Sequence, residues 1–491
     1  MATIRRNLYV SSMEASQARS ENLKQEANSY FKSGYFPQAI AVYTEAIEAC
    51  PSAVLYANRA AAHLRTEAFG LAQSDSKKAI EIDPTYVKAY YRLGSSHAAL
   101  GHYKDALKVF RTLVKLAPKD KDARLKYKQC DKEVKRAAFE AAIATEHTAP
   151  LSETINLESI IIPENYTGPR LGETITKEFV EEMVEYMKGQ QIVAKQYVAS
   201  ILIQLKCILE KLPSLIELST PPENYFTVCG DTHGQFYDLL NIFEVNGGRP
   251  CEERPYLFNG DFVDRGSFSV EVVLALFAYK VLYPNHMHLL RGNHETRNMN
   301  KIYGFDGEVK AKYDDTILDL FTEVFRLLPL CATINKKVVI MHGGLFQEEG
   351  VKLEQIKKIS RNCEPPDSGL MSDILWSDPQ PFPGRGPSKR GVGLAFGPDV
   401  TAKFLEDNGL ELLVRSHEVK DEGYLQEHDG KLITVFSAPN YCDQMGNKGA
   451  SIRFFEDCKP NFVQFEAVPH PPVKPMAYAN NMGMFGQGGF Y

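Results

Sequence analysis

Two columns of small residues and one column of prolines recur through the first quarter of the chain. Ala27, Ala60 and Gly94 form the first column, and Ala39, Ala72 and Ala106 the second. Pro51, Pro84 and Pro118 close each unit, and the spacings are 33 and 34 residues in every column. A period of that length with small residues at fixed slots predicts stacked helix–turn–helix units. The small residues let the two helices of a unit approach closely. Each proline lacks the N–H that the second helix needs to continue. Lys121 to about Ala144 reads on as a charged capping helix.

These units resemble the tetratricopeptide repeat (TPR), with three repeats over about residues 20–120. The resemblance implies an all-α superhelix whose first helices line a concave groove. Lys24, Asn28, Asn58, Lys88 and Arg92 fall on those first helices. Lys24/Asn28 and Lys88/Arg92 are i,i+4 pairs, so each pair shares a face. Three cations and two amides facing one groove can hold carboxylates by charge-assisted hydrogen bonds. A single such lysine would be a solvated surface charge. The full set resembles the family's carboxylate clamp, which grips the C-terminal acidic peptide of the ninety-kilodalton heat-shock chaperone.

Composition narrows the rest. The chain has 491 residues, is 44% hydrophobic and 24% charged, and carries a formal charge of −6. These are globular proportions for two to three domains. The longest apolar candidate, Val272–Tyr283, contains Lys280 and is too short to span a bilayer, so no membrane span is expected. Residues 1–13 carry Arg5 and Arg6 without an apolar run, so no secretory signal is expected. The 9 cysteines form no C-x-x-C pair and read as reduced thiols. Residues 14–136 carry 21 Lys+Arg against 14 Asp+Glu, whereas residues 137–491 carry 33 against 48. The basic N-terminal part should favour acidic partners. Nucleic acid is not expected, because the basic region is helical with few interleaved aromatics.

After Asn224 the pattern changes to short apolar runs, each ending in potential metal ligands. Tyr225–Cys229 leads into Gly230-Asp231-Thr232-His233-Gly234, and Tyr256–Asn259 into Gly260-Asp261-Phe262-Val263-Asp264-Arg265-Gly266. His288–Leu290 leads into Arg291-Gly292-Asn293-His294-Glu295. Val338–Met341 leads into His342-Gly343-Gly344, and Leu412–Val414 into Arg415-Ser416-His417-Glu418. Strands delivering ligands to the loops that follow them are how layered enzymes build sites. Oxygen and imidazole donors without thiolate suit Mn, Fe, Zn or Mg. A bridging carboxylate can hold two cations about 3.5–4 Å apart, a spacing suited to phosphoester cleavage. Any one motif is a common turn; five in order are not.

The five motifs resemble those of the phosphoprotein phosphatase family of metallophosphoesterases, over about residues 166–470. The implied fold is an α/β domain with a central β-sandwich flanked by helices, fused to the TPR superhelix. The implied activity is hydrolysis of phosphoserine and phosphothreonine in phosphoproteins. By this resemblance Asp231 and His233 hold one divalent metal, Asp261 bridges, and Asn293, His342 and His417 complete the second site. Arg265 and Arg390 form the phosphate clamp, with Asn293 also touching phosphate. A guanidinium pairs two phosphate oxygens in fixed geometry. His294 is the general acid, oriented by Asp264, and a water activated between the cations attacks phosphorus directly. Tyr441 lines the centre, and Cys442 matches a position where cyclic peptide toxins attack some relatives. A phosphodiesterase on the same metal scaffold and a non-catalytic TPR co-chaperone are the alternatives.

In TPR-containing members the repeats are expected to suppress activity, with Glu67 helping to close the lid. Chaperone peptide or polyunsaturated fatty acid would release it by binding the open form better. The expected segments are an N-terminal extension (1–19), the repeats with their cap (20–144), a linker (145–172), the catalytic domain (173–470) and a tail (471–491). The last residues, Asn480–Tyr491, contain four glycines and depart from the short helix of the family. Each glycine costs a helix about 1 kcal/mol relative to Ala, so a weak latch is expected. The absent signals and the implied partners point to cytoplasm and nucleus.

Overall fold

The structure, a computed structural model, describes residues 2–143 and 149–479. It divides into two compact units. The first comprises the described N-terminal residues through Ile143 together with Lys389–Gly391, and the second the remaining described residues.

The first unit is built of helix pairs: α1 (Ala2–Lys32) with α2 (Phe36–Ala49), α3 (Ala53–Arg65) with α4 (Phe69–Ile82), and α5 (Val87–Ala99) with α6 (Tyr103–Leu116). The capping helix α7 (Lys121–Ile143) follows. The expected extension is continuous with α1. All five alanines of the two small-residue columns are fully buried where the helices cross. At Gly94 an added Cβ would lie 2.8 Å from the Phe110 ring of α6, so that crossing admits no side chain. Each proline follows its helix by two residues, after Ala49, Ile82 and Leu116. Arg59 ties neighbouring repeats together. It donates to both oxygens of Asp75 at 2.7 and 2.8 Å and to Thr44 Oγ1 at 2.9 Å.

In the second unit the helices are α8 (Leu151–Thr154), α9 (Lys177–Lys188), α10 (Lys195–Leu209), α11 (Phe236–Val245), α12 (Ser269–Leu282), α13 (Arg297–Tyr303), α14 (Phe305–Lys312) and α15 (Asp315–Leu327), before further short helices. The strands are β1 (Leu215–Leu218), β2 (Phe226–Cys229), β3 (Tyr256–Phe258), β4 (Met287–Leu289), β5 (Cys331–Ile334), β6 (Val338–Met341) and β7 (Asp378–Pro379). They continue with β8 (Arg385–Pro387), β9 (Leu394–Phe396), β10 (Leu412–Arg415), β11 (Tyr424–Glu427), β12 (Leu432–Val435), β13 (Gly449–Phe454) and β14 (Pro460–Phe465). One sheet has the order β1-β5-β6-β10-β12-β11, the other β14-β13-β2-β3-β4, and a small third sheet β7-β9-β8.

The two large sheets share one core, and the two-residue period of the strands sorts their side chains. Phe226, Val228 and Leu257 meet Ile340, Val414 and Ile433 inside the sandwich. Cys229, Tyr256 and Phe258 point the other way, into a core with Val198, Leu202, Leu276 and Phe321 of the covering helices. With both faces covered, β3 and β6 are apolar throughout and β2 and β10 are apolar except for Thr227 and Arg415, which is why they read as apolar runs.

From Ala149 on, the segment read as a linker is docked on this unit. Leu151 N–H and the Ser152 hydroxyl donate to Glu323 of α15, and Lys206 of α10 donates to Ser152 Oγ at 2.7 Å. Ile160 and Ile162 pack on the helical core, while Ile161 between them is exposed. After β14 the chain also stays close. Val468 N–H donates to Asp238, Ser267 Oγ to the Lys474 carbonyl, and Met476 N–H to the Arg265 carbonyl. Met476–Ala479 forms the turn that its composition allows. The glycine-rich stretch from Asn480 lies outside the described residues. No helix among the described residues is long and apolar enough to cross a membrane.

Candidate metal centre and peptide groove

The ligand-bearing residues sit where β2, β3, β4, β6 and β10 end. To bring them together the loops approach closer than side chains permit. A Cβ on Gly260 would lie 2.4 Å from Gly292 N, and one on Gly292 would lie 2.1 Å from Asp261 Oδ1. His233, Asp261, Asp264, Arg265 and His417 all take positive φ, between 40° and 70°. For residues with a Cβ that costs about 1–2 kcal/mol each. Strain collected at one place marks a built site.

Within that site His233, Asp261 and His294 bring one potential donor atom each to within 4.8 Å of one another, and so do Asp261, His342 and His417. Asp261 belongs to both groups. His233 Nε2 lies 3.8 Å from Asp231 Oδ2 and 3.6 Å from Asp261 Oδ2. His342 Nε2 lies 3.2 Å from Asp261 Oδ2 and 2.9 Å from Asn293 Oδ1. The imidazoles are aimed through their other nitrogen: His233 Nδ1 pairs with the Val263 carbonyl at 3.0 Å and His342 Nδ1 with the Asn259 carbonyl at 2.8 Å. His417 N–H donates to Asp231 Oδ1 at 3.2 Å. All six side chains of the expected ligand set are buried.

Burial dominates the electrostatics. It pushes the Asp231 carboxyl up to about 7, opposed by His342 and reinforced by the Asp261 charge. Burial also works against the Asp261 carboxylate, but His342 and His294 outweigh it and hold the group below the usual range. His342 is raised because Asp261 overcomes its burial. Asn293 Nδ2 is buried and has no hydrogen-bond partner. Two carboxylates, three imidazoles and an amide oxygen, buried together, fit divalent cations: charge of the opposite sign relieves the repulsion between the acids.

Beside this cluster stands a second arrangement. His294 Nδ1 meets Asp264 Oδ2 at 2.8 Å, and Asp264 accepts further bonds from Asn300 Nδ2 and Phe305 N–H at 3.2 and 2.9 Å. Burial raises Asp264, against those hydrogen bonds. Tyr441 packs its ring 5.1 Å from that of His233. Arg265 lies over the Tyr303 ring. Arg390 clusters with the first unit; it is buried, and its guanidinium lies 3.7 Å from the Glu67 carboxylate.

Three contributors escaped sequence reasoning. Glu295, fully buried, accepts from the backbone N–H groups of Asp261, Phe262 and Gly292, each at 2.8 Å, and so ties two ligand loops together. Its place next to His294 was the only signal. Asn259 spans the sandwich, donating to the Met341 carbonyl and to Ser416 Oγ at 2.9 Å. Arg415 reaches the Gly343 carbonyl at 2.7 Å and Asp378 at 2.8 Å, joining the His417 and His342 loops.

The first unit carries a groove of its own. A cavity of about 360 Å³ is lined by all five expected clamp residues, Lys24, Asn28, Asn58, Lys88 and Arg92, with Tyr43 and Tyr86 among its walls. Asn28 Oδ1 accepts from Tyr43 Oη at 2.6 Å and Asn58 Nδ2 at 3.3 Å, which fixes both amides. Burial and the neighbouring Arg92 hold Lys88 below its ordinary value, and burial brings Arg92 down to about 10.

Fold and donor set together define a metallophosphoesterase with a TPR unit, and comparison with known proteins agrees. A family model described as calcineurin-like phosphoesterase matches residues 225–421. A TPR model matches residues 87–120, and the PPP5 TPR repeat region matches residues 127–217. Human serine/threonine-protein phosphatase 5 is 56% identical over 95% of this chain and 94% of its own. The Arabidopsis thaliana protein of the same name is 51% identical over 94% and 97%. A Saccharomyces cerevisiae protein serine/threonine phosphatase of known structure superposes with a TM-score of 0.60 at 46% identity, covering 62% of this chain and all of that one. The chain belongs to the serine/threonine-protein phosphatase 5 family.

Proposed function

We propose that the chain hydrolyses phosphoserine and phosphothreonine monoesters in proteins, at the cluster around Asp261. The convergence of the Asp231, His233, Asp261, Asn293, His342 and His417 side chains beside the His294–Asp264 pair carries this reading. Asp231 and His233 would hold one divalent cation, and Asn293, His342 and His417 a second, with Asp261 shared between them. Two bound ions of Mn, Mg, Fe or Zn supply Lewis acidity toward the phosphoryl oxygens and lower the pKa of water.

The protein groups then do the rest. With Nδ1 occupied by Asp264, His294 delivers a proton from Nε2 to the departing serine or threonine oxygen. Asp264 fixes that tautomer and stabilises the imidazolium before the proton leaves. Arg265 and Arg390 pair the phosphate oxygens, and their planar forks favour one orientation. Asn293 offers its Nδ2 to the same group. The ring of Tyr441 walls the site on the His233 side.

The groove of the first unit would bind the acidic C-terminal peptide of the ninety-kilodalton chaperone. Its carboxylates would accept charge-assisted hydrogen bonds from Lys24, Lys88 and Arg92, which is where the binding energy originates. Glu67 would contribute to autoinhibition: its carboxylate, 3.7 Å from the Arg390 guanidinium, would compete with phosphate for that arginine. Peptide would activate to the extent that it favours the form in which Glu67 has left Arg390.

The test is turnover of a phosphothreonine peptide against an aryl phosphodiester, with Mn²⁺ and after chelation. Preferred, metal-dependent hydrolysis of the peptide supports the reading. Preferred hydrolysis of the diester would replace it with a phosphodiesterase, and no turnover with any of the four metals would leave a scaffold.

A further inference from the structure

Arg265 has a long, flexible side chain that must present its guanidinium to phosphate in one plane. Its backbone is held first: Asp264 and Arg265 take φ of 70° and 69°, and Arg265 N–H donates to the Tyr303 carbonyl at 3.2 Å. The side chain then lies over the same residue, with the guanidinium carbon 4.0 Å from the Tyr303 ring centroid. That ring is completely buried and packs 5.2 Å from the ring of His294. On α13 Asn300 and Tyr303 are an i,i+3 pair, so they share a face. Asn300 Nδ2 donates to the His294 carbonyl at 2.7 Å and to Asp264. One turn of helix thus addresses both the phosphate-binding arginine and the proton donor.

Stacking and phosphate binding use different parts of a guanidinium. The ring attracts the cation through its face, while the N–H groups radiate in the plane and remain directed outward at the edge. A buried ring below Arg265 therefore fixes the plane without competing for phosphate. We propose that Tyr303 is a positioning residue for the phosphatase reaction, setting the guanidinium plane of Arg265 by stacking. The proposal rests on Arg265 being a phosphate ligand, as argued above.

The experiment uses the full chain with Mn²⁺ and reads KM and kcat for a phosphothreonine peptide, together with competitive inhibition by orthophosphate. Tyr303→Leu is expected to raise KM and weaken orthophosphate binding roughly three- to tenfold, with a smaller change in kcat. Tyr303→Phe keeps the ring and restores phosphate affinity to within about twofold of the wild type. In an Arg265→Ala background Tyr303→Leu adds less than about twofold, because there is no guanidinium left to orient. Should Tyr303→Leu not fold, Tyr303→Met, which fills the space without a π face, makes the same comparison. An equal loss from Tyr303→Leu with and without Arg265 would overturn the proposal, as would a loss in kcat with orthophosphate inhibition unchanged. If Arg265→Ala alone leaves orthophosphate inhibition unchanged, the phosphate role of Arg265 fails and the proposal falls with it. That outcome is read from a separate variant and is distinguishable from failure of the stacking.

Discussion

The two sites of this molecule concentrate charge of opposite sign on scaffolds of different build, regular helices in one and strand-end loops in the other. The groove of the first unit gathers Lys24, Lys88 and Arg92 on regular helices, and only Arg92 of the three is buried. The cluster of the second unit gathers Asp231, Asp261, Asp264 and Glu295, all four buried, on strand-end loops in which Asp261 and Asp264 take left-handed backbone. A groove that takes an acidic peptide, as proposed for the first unit, needs cations that can adapt to two or three carboxylates. A centre for phosphoryl transfer needs ligands fixed to a few tenths of an ångström, and strain is the cost of that fixity. Changes in the second unit should therefore act on turnover and on metal or phosphate binding, and changes in the groove of the first on affinity for an acidic peptide.

The largest effect sharpens this contrast on the rate side. His294→Ala should lower kcat for phosphothreonine peptide by about 10²–10⁴-fold, and by much less for an aryl phosphate whose leaving group needs no proton. Equal losses on both substrates would remove His294 from the role of acid. Next comes Glu295→Gln. An amide cannot accept from three backbone N–H groups as a carboxylate does, so metal affinity should fall about 10–100-fold by titration while peptide binding in the groove stays unchanged. On the affinity side, Arg92→Ala should weaken an acidic chaperone peptide by about 10- to 100-fold in calorimetry, the loss expected of one charged hydrogen bond. Basal turnover should not move with it.

The smallest effect depends on pH. Burial opposes the His470 imidazolium, but the Pro471 carbonyl and the Asp443 carboxylate, 3.1 Å away, raise its pKa above the ordinary 6.5. A raised folded value means stability that is present below 6.5 and lost as pH rises through the folded value. His470 is largely open to solvent, so the contribution is well under about 1 kcal/mol. The melting temperature of His470→Gln should fall slightly below wild type at pH 6 and match it at pH 8. A gap that is larger at pH 8 would reverse the sign.

What was legible in the sequence divides along similar lines. The five strand-end motifs could be read because each ligand lies within a few residues of the run that positions it, and strands covered on both faces are mostly apolar. The clamp could be read because a repeat brings distant residues into register at a known period. Glu295, Asn300 and Tyr303 could not be assigned, since their meaning lies in partners 30 or more residues away, such as the Asp261 backbone or the Arg265 guanidinium. The stretch 145–172 reads as a linker from its prolines and glycines, and its described part begins at Ala149. What docks it is the pairing of Leu151 and Ser152 with Glu323, which no local pattern records.

The account depends most directly on Asp261, the carboxylate shared by both ligand groups. The decisive measurement is Mn²⁺-dependent turnover and melting temperature of wild type and Asp261→Asn, side by side. The account predicts that Mn²⁺ activates and stabilises the wild type, while Asp261→Asn is inactive and gains little from Mn²⁺. Turnover by Asp261→Asn at the wild-type rate, with the same stabilisation by Mn²⁺, would contradict it.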